Sequence, residues 1–225
     1  MQKIAALGGS FNPVHLAHLA MAEQARDLLG LDKVLFIPAR IPPHKASVAL
    51  APGEQRLEMV RLAIAGHPAF EACDIELRRE GPSYTIDTIE ELRRQYGEGA
   101  EIYFLIGLDS VSELGTWREI RRLASRCRLI PMDRPGAREP DPAALAQVVG
   151  EEEARAILAR RIHMPLMNIS SSEIRARVAA GRSISRFVPR AVEEYIRRLG
   201  LYRGAASAAP DVEKKPCEGS SKPSQ

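Results

Sequence analysis

The sequence predicts an α/β fold: a doubly wound parallel sheet with helices on both faces. Short apolar runs alternate with stretches of helical spacing along the chain, the pattern of strand–helix–strand units. Four of the runs end at Gly8, Pro38, Gly107 or Pro131, which stop a strand and turn the chain. In such sheets those exits converge at the carboxyl edge, where ligands bind at the switch in strand order.

The elements follow in order. Ile4 to Leu7 reads as a buried strand that breaks at Gly8-Gly9, turns through Asn12-Pro13 and resumes with helical spacing at Val14, Leu16, Leu19, Ala20, Ala22 and Ala25. That helix runs from about His15 to Leu29 and stops at Gly30. Lys33 to Ile37 is a second strand, followed by the proline-stiffened stretch Ala39 to Lys45. Gln55 to Ala65 places Leu57, Val60, Leu62 and Ile64 among acids and arginines, a second helix. Phe70 to Leu77 reads as a strand by alternation, and Gly81-Pro82-Ser83 turns into a helix from about Thr85 to Tyr96. Glu101 to Ile106 is a strong strand. A helix over Trp117 to Ala124, a strand over Cys127 to Pro131 and a charged helix over about Ala143 to Arg161 come next. Ile162 to Met167 is a weaker strand. Helices opening at Ser170, stopped by Gly181, and at Ala191 complete the series.

Residues 1–203 are expected to form one domain. Residues 204–225, rich in Ala, Ser, Pro and Lys, read as a disordered tail. No apolar run approaches the roughly 18 residues a membrane span needs, and the amino terminus reads as the first strand rather than a signal peptide. Cys73, Cys127 and Cys217 show no metal-ligand spacing, which suits reduced thiols in a cytoplasm. The net charge of +3 suits a small phosphate-rich ligand and is too weak to argue for nucleic acid. The arginines between Arg175 and Arg203 are interspersed with acids and apolar residues, as on a solvated helix face. Neither a nucleic-acid nor a membrane partner is expected. Oligomeric state, a homo-oligomer included, is left open.

The chemistry begins at the first strand exit. A strand that empties through Gly8, Gly9, Ser10 and Phe11 into a helix start leaves backbone N–H groups toward the crevice, a setting for phosphate. His15 and His18 lie on one face beside it and can donate hydrogen bonds to developing negative charge. The run Gly8-Gly-Ser-Phe-Asn-Pro-Val-His-Leu-Ala-His18 resembles the GGxFxPxHxGH signature of the nucleotidyltransferase superfamily, and within it the bacterial nicotinate-nucleotide adenylyltransferases. Ala17 stands where that signature has glycine, a methyl that a helix tolerates.

Further segments extend the resemblance. Ile169-Ser-Ser-Ser-Glu-Ile-Arg175 reads locally as a capping box with Ser170 as cap, and it also resembles the family's ISSTxIR run. Pro42-Pro43-His44-Lys45 resembles the PPHK loop, Tyr84-Thr85-Ile86-Asp87-Thr88 the YTxDT segment, and Gly107 to Trp117 the GxDxxxxLxxW segment. The resemblance implies a Rossmann-like fold and transfer of AMP from ATP to nicotinate mononucleotide, with Mg²⁺ on the ATP phosphates. It implies His15, His18, Lys45 and Arg175 at the reacting phosphates. It puts Gly8 to Phe11, Gly107, Asp109, Arg134, Ser171 and Ser172 on ATP, and His44, Lys45, Tyr84, Thr85 and Trp117 on the mononucleotide.

Alternatives stand beside these assignments. Trp117 could instead be core packing, and Asp109 could cap a helix rather than hold a ribose. Nicotinamide mononucleotide could be the acceptor, alone or alongside the acid. A phosphopantetheine adenylyltransferase would share the first motif but lack the late serine–arginine run. A nucleotide sensor without turnover would not need His15, His18 and Arg175 intact.

Overall fold

The computed structural model describes residues 1–42, 50–134, 136–165 and 167–204. Six strands, all parallel, form one sheet: β1 (Lys3–Gly9), β2 (Lys33–Pro38), β3 (Phe70–Ala72), β4 (Glu101–Gly107), β5 (Arg128–Asp133) and β6 (Ile162–His163). Their spatial order is β3-β2-β1-β4-β5-β6, so the chain winds one way from β1 to β3, then crosses back to β4. The switch point therefore falls between the carboxyl ends of β1 and β4, where Gly9 and Gly107 end their strands.

Alternation along the strands builds the two sides of the core. Ala5 and Leu7 of β1 join the layer of α1 (Leu16–Leu29), α2 (Gly53–Ile64) and α10 (Arg190–Arg198), with Ala22, Met59, Val192 and Ile196. Ile4 and Ala6 face the opposite layer, with Ile86, Ile89 and Leu92 of α4 (Thr85–Tyr96) and Leu123 of α6 (Ile120–Arg126). A parallel strand buried on both sides has to be apolar at every position, which is why β1 reads as a continuous run. Gly30 ends α1 in the left-handed conformation, φ 62°, with its N–H bonded to the carbonyl of Arg26.

Four boundaries differ from the sequence expectation. The third strand stops at Ala72, because Asp74 begins the single helical turn α3 (Ile75–Arg78), too short to show a helical period. The expected helix from Trp117 becomes a 3-10 turn (Leu114–Thr116) followed by α6, after a short α5 (Leu108–Val111) that leaves β4 directly. The charged helix expected over Ala143 to Arg161 is two, α7 (Pro142–Val149) and α8 (Glu151–Ala159), separated by Gly150 at φ 94°. β6 has only two residues. The helix opening at Ser170 is α9 (Ser171–Ala179), with the Ser170 hydroxyl accepting from the N–H of Glu173 at 3.2 Å, as a cap should. Among the described residues no helix is long and apolar enough to cross a membrane.

Candidate active site

β1 delivers the first motif to the switch point. A Cβ on Gly8 would lie 3.3 Å from the Phe104 ring of β4, and one on Gly9 3.4 Å from the Phe11 ring, so both positions leave little room for a side chain. The carbonyl of Gly9 accepts from Ala39 N–H just past β2, so the next N–H, on Ser10, points the other way, toward β4. Phe11 follows in the left-handed region at φ 44°, its ring buried against Phe36 and edge-on to His18 at 5.0 Å. The Asn12–Pro13 peptide is cis.

The two histidines form one stacked unit. Their ring centroids are 3.7 Å apart with planes 23° from parallel. His15 caps α1, and its backbone N–H donates to Nδ1 of His18 at 3.2 Å. In neutral His18 that bond fixes Nδ1 as the acceptor and puts the ring proton on Nε2. His15 is buried, and burial pushes its imidazole down to about 4 from an ordinary 6.5, so it is neutral at pH 7. The first N–H of α1, on Leu16, donates to the carbonyl of Phe187 at 2.9 Å. That donor is spent on the protein.

The late motif sits against this turn. Ser171 Oγ donates to the carbonyl of Pro13 at 2.9 Å, across 158 residues of sequence. Arg175 Nη1 donates to the carbonyl of Asn12 at 2.9 Å, while its Nη2 donates to Ser172 Oγ at 3.2 Å. The histidine-bearing junction and the start of α9 are thus joined directly, by a serine hydroxyl and a guanidinium. More residues brace the junction from the other side. Asn12 Oδ1 accepts from Tyr202 Oη at 2.9 Å and from Ala51 N–H at 3.0 Å, and the carbonyl of Ser10 accepts from Arg56 Nη1 at 2.8 Å. The sequence did not single out Arg56 or Tyr202 and took Asn12 only as a turn residue; each is polar and buried or half-buried, but its partner lies far off in the chain.

At the ends of β4 and β5, Asp109 and Arg134 come together. Asp109 Oδ2 accepts from Arg134 at 2.9 and 3.2 Å and Oδ1 from Arg138 N–H at 3.1 Å. Burial alone would raise this carboxyl, but the Arg138 N–H and the Arg134 guanidinium outweigh it and hold Asp109 below the usual carboxylate range. The helix-cap alternative for Asp109 fails, because Gly107 is the N-cap of α5 and Asp109 lies within it.

Tyr84 caps α4 and Thr85 is its first residue, so this helix does begin where the sequence placed it. Trp117 is half-buried with its ring edge-on to Phe104 at 6.0 Å, and the neighbouring Arg118 lies over the Tyr84 ring at 4.8 Å. Phe104 and Arg118 also went unnoticed in the sequence. His44 and Lys45 lie outside the described residues.

This arrangement has relatives. The cytidylyltransferase-like family profile matches residues 6–177. A probable nicotinate-nucleotide adenylyltransferase of Pelobacter propionicus is 48% identical over 212 residues, covering 89% of this chain and 98% of the relative. The chain belongs to the nicotinate-nucleotide adenylyltransferase family. A family member from Thermus thermophilus, also described as probable, is 44% identical over 201 residues, 89% of this chain and all of the relative. In fold, the chain resembles the Plasmodium falciparum nicotinic acid mononucleotide adenylyltransferase complexed with NaAD. The TM-score is 0.72 at 20% identity, covering 90% of this chain and 98% of that one.

Proposed function

We propose that the protein transfers AMP from ATP to nicotinate mononucleotide, releasing pyrophosphate, with residues 1–203 as the catalytic unit. The observation that supports this is the interlock of the two motifs, Ser171 on Pro13 and Arg175 on Asn12. Family membership supports the same reaction.

A phosphate oxygen of the mononucleotide attacks the α-phosphorus of ATP. A new P–O bond forms there as the bond to the β-phosphate oxygen breaks, and the electron pair leaves with pyrophosphate. No protein nucleophile is needed. Neutral His15 and the Nε2–H of His18 donate to the oxygens that gain charge, and being held by stacking and burial they need no reorganisation. The N–H groups of Ser171 and Ser172 and the hydroxyl of Ser172 take the β- and γ-phosphates, and Arg175 neutralises the departing pyrophosphate. Gly8 to Phe11 form the floor of the ATP site, and Gly107, Asp109 and Arg134 its nucleoside side. Asp109 retains lone pairs for a ribose hydroxyl while bound to Arg134.

On the acceptor side Trp117 offers a ring face to the pyridine, Tyr84 and Thr85 present the start of α4 to its carboxylate, and His44 and Lys45 are assigned to its phosphate. Among the described residues no group of three His, Cys, Asp or Glu could hold a metal ion. The site's donors and cations suit phosphate, so Mg²⁺ belongs with the ATP phosphates, where it would neutralise charge. ATP and the pyridine mononucleotide are the protein's small-molecule partners, and the cytoplasm is its compartment.

The test is incubation with ATP and each mononucleotide in turn. Nicotinate adenine dinucleotide and pyrophosphate should appear in equal amounts, faster than the product from nicotinamide mononucleotide. Failure to form a dinucleotide from either acceptor would overturn the reading.

A further inference from the structure

Arg56, near the start of α2, is 1% exposed, the largest of the fully buried side chains. Its Nε donates to the carbonyl of Ala51 at 2.8 Å and its Nη1 to the carbonyl of Ser10 at 2.8 Å. Among the described residues no carboxylate lies within ion-pair distance of it, whereas most other arginines in ion pairs are on the surface. Burial also disfavours its charge, and only the Tyr202 hydroxyl works against that. A buried cation without a counter-ion is costly, and such perturbed charges cluster at ligand sites.

The Ser10–Phe11 peptide connects this cation to the site. The peptide is trans, so its C=O and N–H point in opposite directions. With the carbonyl of Ser10 held by Arg56, the N–H of Phe11 is directed away from α2, and among the described residues it has no acceptor. A guanidinium on the carbonyl also polarises the peptide and strengthens the N–H as a donor. Phe11 keeps its left-handed φ of 44° in the same turn, a conformation that a non-glycine residue holds only when its surroundings fix it.

We propose that Arg56 is a positioning residue for the triphosphate of ATP: through the Ser10 carbonyl it aims and strengthens the Phe11 N–H toward the phosphates, and their charge balances its own. This rests on the nucleotide-binding part of the reading above, and concerns a side chain set behind the turn.

Calorimetry on the full chain tests it with three probes: ATP, adenosine and inorganic tripolyphosphate. Arg56→Met should weaken ATP and tripolyphosphate by about 10- to 100-fold, the span of one charge-assisted hydrogen bond, and adenosine by no more than about threefold. Arg56→Lys, which keeps the charge, should hold the ATP-to-adenosine ratio within about tenfold of wild type. Equal losses for ATP and adenosine would reduce Arg56 to a structural brace, and an unchanged tripolyphosphate affinity would also overturn the proposal. A wild-type chain that binds none of the three probes would sink the nucleotide reading itself, and Arg56's role with it. Should the methionine variant not fold, wild-type protein labelled with ¹⁵N-phenylalanine answers the question. Among its five Phe amides, that of Phe11 should move downfield on adding tripolyphosphate, and a stationary Phe11 signal refutes the role.

Discussion

Burial sets the protonation state of His15, and with it both a catalytic and a stability property. The ring is neutral in the folded protein down to about pH 4, while in the unfolded chain it takes up a proton near 6.5. The unfolded state therefore binds the extra proton between those values. The stability this residue contributes is complete above pH 6.5 and is lost as pH falls to 4. Replacing it with glutamine should remove that dependence. Between pH 7 and 4.5 the variant should lose about 2 kcal/mol less stability than wild type, measured by urea unfolding at both values. His18 tests the other half. Its Nε2–H is placed by the bond from His15 N–H to Nδ1, so His18→Ala should cut kcat by about 100- to 1,000-fold. KM for ATP should stay within about threefold, since the lost donor acts on charge that develops during transfer. A variant whose KM rises while kcat holds would make His18 a binding group only.

Between elements, β1 and β4 fit closely at Gly8. A methyl on Gly8 would stand 3.3 Å from the Phe104 ring, and that ring is edge-on to Trp117 on its far side. Gly8→Ala should therefore destabilise by about 1 kcal/mol through overpacking. Phe104→Leu made in the same chain should recover part of that loss, a coupling that chemical denaturation of the single and double variants would read. Strands such as β1, β2 and β4 were legible in the sequence because burial on both faces demands continuous apolar runs. α3 was not, being four residues without a helical period, nor was the break at Gly150, whose flanking stretches both keep helical spacing. The site divides the same way. Its histidines, serines and Arg175 lie in local motifs. Arg56 reads in sequence as one more charge on the polar face of a helix, and only the fold turns it inward.

Across the whole molecule, the last described turn closes onto the first strand exit. Gly200 and Tyr202 are in left-handed conformations, φ 62° and 64°, which turn the chain back after α10. Leu201 is buried in the core layer, and Tyr202 reaches Asn12 Oδ1 across 190 residues. Burial drives the Tyr202 hydroxyl well above the ordinary tyrosine range, so it remains a proton donor at neutral pH. Asn12 lies between His15 and the Ser10 carbonyl and also lends its own carbonyl to Arg175, so the carboxyl-terminal turn stabilises the junction it never enters. Tyr202→Phe keeps the ring and removes a donor to Asn12 Oδ1. Global stability should fall by only about 1 kcal/mol, the net value of one hydrogen bond. Amide exchange, by contrast, should quicken locally over residues 10–18, and kcat should fall several-fold as the histidine pair loses its fixed base. Faster exchange confined to α10, with residues 10–18 and kcat unchanged, would show the turn to be packing alone.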